Sequence, residues 1–308
     1  MTAGPVTTGS ATAAALAAAG LDAADVVRAV RAALEEDFRY GADVTSAATV
    51  AGQTVTAHVV AREAGVLAGG PVALAVLDVL ADYCGGAAPD VTATVLIADG
   101  TPVAAGDAVL RVSGDAVAVL GAERTVLNFL THLSGIASAA RQWADAVAGT
   151  GAVIRDTRKT LPGLRALQKY AVRCGGGRNH RLGLGDAALV KDNHVAAAGG
   201  IGAAVRAVRA AARPGLTVEV ECDSVAEVRE ALEAGARFLL LDNMPVSLLR
   251  EAVAAARRYD GVRLEASGGL RLDSAREVAL TGVDYLAVGA LTHSSRALDL
   301  GLDYQGTN

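Results

Sequence analysis

The stretch from Thr217 to Asp242 reads TVEVECDSVAEVREALEAGARFLLLD, and its organisation decides the fold. Thr217–Val220 has the short, half-apolar alternation of a strand. Ser224 and Glu227 have the spacing of a capping box, which predicts a helix over 224–234. Gly235 stands where a helix C-cap belongs. Phe238–Leu241 is a second short apolar run, long enough for a buried strand and too short for a helix. Strand, helix, strand at this spacing is one unit of a parallel sheet.

The same alternation extends in both directions. Val153–Arg155, Ala187–Val190, Val262–Glu265 and Asp284–Val288 read as further strands. Helices are expected at 201–212, 246–258 and 274–281, with Gly282 as a second C-cap. Upstream the pattern is different. A helix over 22–36 carries Val26, Val27, Val30 and Leu34 on one stripe. A strand is expected at 54–60, then a helix over 71–83 with Pro71 in its first turn. Residues 91–97 and 107–113 read as strands, and a long helical stretch covers 115–148, with a break expected near Ser134-Gly135. The chain is therefore α+β in its first third and repeats βα units afterwards, around a sheet that is open or closed into a barrel.

Composition agrees with a packed α/β protein. Of 308 residues, 52% are hydrophobic and 20% charged, which excludes global disorder, and the length suggests two domains. With only 3% aromatics, Ala, Val and Leu must fill the core. The mean hydropathy of +0.35 raises the question of a membrane span. Yet the most apolar early stretch, Ala11–Leu21, ends at Asp22, short of the roughly 20 apolar residues a spanning helix needs. No Lys or Arg precedes Arg28, so no secretory signal is expected. Cys84, Cys174 and Cys222 lie far apart without a CxxC pair, which points away from structural zinc and disulfides and towards a reducing, cytoplasmic setting. A net charge of −5 argues against a nucleic-acid partner.

That charge is unevenly spread. Arg155 to His194 holds nine Lys/Arg against three acids, while the rest of the chain has nineteen basic and thirty acidic residues. A basic run is most often a solvated surface. Here it is interleaved with Gly175-Gly176-Gly177, Gly183 and Gly185, and glycine lets backbone approach a ligand closely, as a small polyanion requires.

Polar residues also recur at the carboxyl ends of successive expected strands. Arg158 and Lys159 follow the first, Lys191 the second, Glu221 the third and Asp242 the fourth; Ser267-Gly268-Gly269 and Gly289-Ala290 follow the last two. In parallel α/β barrels this rim converges on one mouth, where active sites form. The paired glycine loops suit a phosphate. Glu221 and Asp242 suit an acid/base couple, Mg²⁺ or sugar hydroxyls, and equally could balance nearby cations. The forked donors of Arg158 and Arg181, with His180, suit carboxylates. Lys159 and Lys191 serve as point charges for phosphate or diphosphate. Together they predict an enzyme with a phosphosugar substrate and an acidic co-substrate.

These residues sit in runs that resemble the quinolinate phosphoribosyltransferase family. The runs are Glu123–Asn128, Asp156–Arg165, Gly177–Arg181, Val190–His194, Glu219–Glu221, Leu241–Asn243, Glu265–Gly269 and Val288–Ala290, and the likeness extends from about residue 22 to the C-terminus. The resemblance implies phosphoribosyl transfer from 5-phosphoribosyl 1-diphosphate to quinolinate with decarboxylation, giving nicotinate mononucleotide, diphosphate and CO₂ in NAD biosynthesis, with Mg²⁺ as cofactor. It implies an N-terminal α/β-sandwich domain over 21–129 and an incomplete α/β barrel over 130–290; residues 1–20, outside the likeness, read from their small-residue composition as a disordered tail. Residues 291–308 would pack back on the N-terminal domain. It also implies a homodimer in which Arg124 reaches the neighbouring subunit's quinolinate. Arg158, His180, Arg181 and Lys191 would bind the carboxylates, and Lys159 would sit near diphosphate. Glu221 and Asp242 would hold ribose hydroxyls and the metal, with Lys159, Lys191, Glu221 and Asp242 as the catalytic set. Ser267, Gly268, Gly269, Gly289 and Ala290 would cradle the 5-phosphate. A nicotinate or nicotinamide phosphoribosyltransferase would need fewer carboxylate donors, and a non-catalytic phosphosugar sensor would not need Glu221, Asp242 and Lys191 together.

Overall fold

The computed structural model describes residues 8–83 and 90–305; Cys84 lies outside them. The strands in chain order are β1 (Thr54–Ala61), β2 (Gly65–Val66), β3 (Val91–Val95), β4 (Pro102–Val103), β5 (Ala108–Asp115), β6 (Val153–Arg155), β7 (Ala188–Val190), β8 (Val218–Cys222), β9 (Phe238–Asp242), β10 (Arg263–Ser267), β11 (Tyr285–Ala287) and β12 (Leu300–Gln305). The described residues form two compact units, one drawn from the stretches 8–139, 161–176 and 294–305, the other from 140–160 and 177–293. The units are thus interleaved in sequence.

The first unit is built on an antiparallel sheet in the order β12-β1-β5-β3. β1 buries alternate residues, Val55, Ala57, Val59 and Ala61. Helix Ala23–Phe38 buries Val26, Ala29, Val30 and Leu34; Val27, expected on the same stripe, is half-buried. The C-terminal segment returns to this unit, where β12 pairs with β1 from Thr56↔Gln305 to Ala61↔Leu300.

Two expectations are corrected here. Within the stretch read as a disordered tail, Ser10–Ala18 is a helix that buries Thr12 and Leu16. Its alanines favour helix intrinsically, and Leu16 supplies the anchor. The break expected at Ser134-Gly135 is absent, since one helix runs from Ala116 to Ala146. Gly135 serves close packing instead. A Cβ there would lie 2.1 Å from the Arg296 carbonyl oxygen, so only glycine admits the C-terminal segment.

The second unit is the α/β unit predicted from the βα spacing. Its six parallel strands have the order β6-β11-β10-β9-β8-β7. The edge strands β6 and β7 do not pair with each other, so the sheet is open, and the 177–180 segment adds one bridge to β6 at Arg155↔Arg178. The Ser224 capping box forms, with Glu227 N–H donating to Ser224 Oγ at 3.2 Å. Gly235 and Gly282 take the left-handed conformation that helix C-termini require.

Candidate active site

Parallel register fixes which side chains share a face. Glu221 pairs with Leu240, Leu240 with Glu265 and Glu265 with Tyr285, while Asp242 pairs with Ser267. Ladder partners and residues two apart along a strand point the same way. Arg155, Glu219, Glu221, Asp242, Glu265 and Ser267 therefore line one face of the sheet. Lys191, just past β7, reaches this face and forms an ion pair with Glu221.

The glycine loops are held tightly to this rim. Asn243 is the one non-glycine with positive φ among the described residues (51°), and its N–H donates to the Ser267 carbonyl at 2.9 Å. Gly268 (φ +85°) has no room for a side chain, because a Cβ would meet Asn243 Oδ1 at 2.2 Å. At the next loop, a Cβ on Gly289 would lie 3.1 Å from Lys159 Cδ. Thr292 Oγ1 donates to the Lys159 carbonyl at 2.8 Å, fixing that lysine beside Gly289-Ala290.

Arg158 and Arg181 are half-buried, and neither has an ion-pair partner among the described residues. The Nε of Arg158 is buried without a hydrogen-bond acceptor. Arg181 Nη1 donates only to the Ala187 carbonyl, at 3.1 Å. Burial first, and then the nearby Arg158 cation, hold the Arg181 guanidinium below its ordinary range. Asp186 and Glu219 pull the other way from beyond ion-pair distance, and an incoming dianion would offset the remaining repulsion between the two guanidinium groups.

Behind them lies a buried polar network. Asp156, fully buried, accepts from the His180 backbone N–H at 2.8 Å and from Asn179 Nδ2 at 2.5 Å. His180 Nε2 is 2.9 Å from Glu219 Oε2 and 3.4 Å from Glu265 Oε1. Arg155 forms an ion pair with Glu265 and stacks its guanidinium near Tyr285 and Phe238, at 4.9 and 5.3 Å from the ring centroids. Burial pushes the carboxyls of Glu219 and Glu265 up to about 7, outweighing the pull of Arg155.

Arg158, Lys159, His180, Arg181, Lys191, Glu221, Asp242, Ser267, Gly268, Gly269, Gly289 and Ala290 all belong to the second unit, where Lys191 meets Glu221, Asp242 pairs with Ser267, Lys159 packs at Gly289 and Arg158 lies near Arg181. Arg124 belongs to the first unit, exposed on helix Ala116–Ala146, where it lines a cavity with Asp37, Tyr40 and Gly41. Sequence reasoning assigned no role to Asp156, Glu219 or Glu265. Alternation could have found two of them: Glu219 is two residues before Glu221, and Glu265 two before Ser267, so each shares its successor's face.

Known proteins resemble this chain over most of its length. A family model described as "Quinolinate phosphoribosyl transferase, C-terminal domain" matches residues 136–303, and its N-terminal counterpart matches 43–134. The chain is 55% identical over 276 residues to the nicotinate-nucleotide pyrophosphorylase [carboxylating] of Mycobacterium leprae, covering 89% of this chain and 95% of that protein. It is 38% identical to the probable nicotinate-nucleotide pyrophosphorylase [carboxylating] of Bacillus subtilis, covering 89% and 91%. Among solved structures, the nicotinate-nucleotide pyrophosphorylase of Francisella tularensis superposes with a TM-score of 0.84 at 36% identity, over 92% of this chain and 98% of that one.

Proposed function

This chain belongs to the quinolinate phosphoribosyl transferase family, and on that premise we infer that it converts quinolinate and 5-phosphoribosyl 1-diphosphate to nicotinate mononucleotide, diphosphate and CO₂ in NAD biosynthesis. The observation that carries the reading is the Arg158–Arg181 pair, half-buried and with no carboxylate among the described residues in ion-pair contact, Asp186 and Glu219 acting on Arg181 from further off. Quinolinate brings two carboxylates on adjacent ring carbons, which forked guanidinium donors can grip. Lys191 adds a third cation on the same rim.

The residues then fall into roles. Breaking the bond from ribose C1 to diphosphate leaves positive charge on the ribose ring, which the carboxylates of Glu221 and Asp242 stabilise while accepting from the ribose hydroxyls. Lys159, beside the Gly289 loop, offsets charge on the departing diphosphate. Ser267-Gly268-Gly269 and Gly289-Ala290 hold the 5-phosphate through backbone N–H groups of loops whose glycines carry no side chain of their own. The pyridine nitrogen, aimed by the arginines, forms the new bond to C1. Its positive charge then stabilises the electron pair left on the adjacent ring carbon as the neighbouring carboxylate leaves as CO₂, and that pair takes up a proton.

Glu221 and Asp242 form an all-oxygen donor pair on one face, which fits Mg²⁺ bound through one or two carboxylates and substrate phosphates. When bound, that ion would supply charge neutralisation at the diphosphate. The protein works as a homodimer in which Arg124 completes the neighbouring quinolinate site. Dimers mixed from Arg124→Ala and Lys191→Ala chains should regain activity, and no recovery would refute the shared site. Cys174 and Cys222 are free thiols, which supports a reducing cytoplasm. No helix among the described residues is long and apolar enough to cross a membrane. The decisive assay offers quinolinate and nicotinate separately with 5-phosphoribosyl 1-diphosphate and Mg²⁺. Product from quinolinate supports the reading; product from nicotinate alone overturns it.

A further inference from the structure

The amino-terminal ends of the parallel strands carry an opening of their own. Phe238, Arg263 and Tyr285 are the first residues of β9, β10 and β11, and all three line a cavity of about 180 Å³. Arg263, Glu265 and Ser267 alternate onto one face, so at about 3.3 Å per residue the cavity lies about 13 Å below the Ser267 loop. Its wall is cationic: Arg155, Arg178, Arg181 and Arg263 stand against one carboxylate, Glu219. Arg155 is taken by Glu265, and Arg181 Nη1 by the Ala187 carbonyl. Arg178 and Arg263 are exposed, and among the described residues neither guanidinium has an ion pair or a hydrogen bond. The ring of Phe238 nevertheless keeps Arg263 in the wall, 5.4 Å from its centroid, with Arg155 at 5.3 Å from the same centroid.

We propose that this cavity is a second anion site, which takes a small oxyanion of the phosphate class on the guanidinium groups of Arg178 and Arg263. Two like charges gathered about one aromatic ring repel each other, and an anion between the arginines removes that cost. The cations reach the cavity from separate elements: Arg155 from β6, Arg178 from the 177–181 segment and Arg263 from β10. That suits an ion whose oxygens point in several directions, whereas a planar carboxylate presents one edge to one fork. The volume sets the size. Pockets for drug-sized ligands begin at about 300 Å³, so this one admits phosphate or diphosphate and not a whole nucleotide. Burial lifts the Glu219 carboxyl to about 7, so the one acid in the wall carries only part of a charge at neutral pH and opposes an anion little. The site does not depend on the pyridine substrate, which the opposite end of the strands receives.

Calorimetric titration of the full chain with inorganic phosphate, and separately with diphosphate, tests it. The rim loops also receive phosphate, so each titration is repeated on Gly268→Ala, which distorts a rim loop, and on Arg178→Ala and Arg263→Ala. Saturable binding of either anion, with a Kd of about 1 mM or below, should survive in Gly268→Ala. It should weaken about tenfold in each arginine variant, the worth of one charge-assisted hydrogen bond. Arg263→Lys, which keeps the charge and loses the fork, should recover part of that loss. Saturating quinolinate should leave the anion bound. Both arginines are exposed, so their replacement leaves the core intact, and an unchanged urea midpoint in the absence of anion checks this. Binding that is lost in Gly268→Ala and kept in both arginine variants would place the anion at the rim alone and overturn the proposal. So would displacement by quinolinate, or no saturable binding of either anion to Gly268→Ala.

Discussion

The carboxylate of Asp156 accepts the backbone N–H of His180 at 2.8 Å, entirely out of solvent. One acid at the end of β6 therefore sets the path of the segment that carries Arg181. Replacing Asp156 with Ala leaves the buried His180 N–H without this acceptor, at about 1–3 kcal/mol. Denaturant unfolding should show a loss of that order, and quinolinate affinity should fall with it. A variant of wild-type stability would show that the segment is held by other contacts.

Arg158→Ala should weaken quinolinate far more than 5-phosphoribosyl 1-diphosphate. Removing one partner from a buried ion pair costs about 3–5 kcal/mol, two or more decades in affinity. Because Arg181 is then relieved of a like charge, the apo protein should not be destabilised. Calorimetric titration with each substrate checks both halves; an unchanged quinolinate affinity removes Arg158 from the site.

Gly268→Ala should act on the other substrate. Its φ of +85° and the 2.2 Å approach to Asn243 Oδ1 force the loop to move. The KM for 5-phosphoribosyl 1-diphosphate should rise while quinolinate affinity holds, as steady-state kinetics with each substrate varied will show. The opposite pattern would mean that this loop serves the pyridine.

Glu265 titrates at about 7 in the folded chain against an ordinary 4.5, with burial as the largest cause. The folded state therefore keeps a proton that the unfolded chain releases between those values, and this contribution to stability is lost as pH rises from about 4.5 to 7. Glu265→Gln keeps the shape and removes the titration. Its unfolding free energy should fall less between pH 5 and 8 than that of the wild type, measured in urea at a series of pH values. Parallel curves would place the titration elsewhere.

Much of this was legible in the chain itself, for a reason visible at β8 and β9. A βα unit repeats its polar strand end every 20 to 30 residues, so Lys191, Glu221, Asp242, Ser267 and Gly289 declare a common rim. Depth is not declared. Glu219 and Glu221 look alike in sequence, yet Glu219 is buried and Glu221 only half-buried, because strand alternation gives the face and not the distance from the mouth. Helices Arg165–Cys174 and Asp192–Ala198 were not read either, being short and set among basic and glycine residues that suggest a loop. Gly135 misled for a related reason, since its cause lies 161 residues away at Arg296.

The central claim is that paired arginines orient quinolinate so that the carboxylate next to the ring nitrogen departs once the ribose bond forms. Quinolinate carrying carbon-13 in that carboxylate, turned over with 5-phosphoribosyl 1-diphosphate and Mg²⁺, tests it directly. Labelled CO₂ should appear in an amount equal to the nicotinate mononucleotide formed, and none without the phosphosugar. Label retained in the nucleotide product, or released without 5-phosphoribosyl 1-diphosphate, would contradict the account.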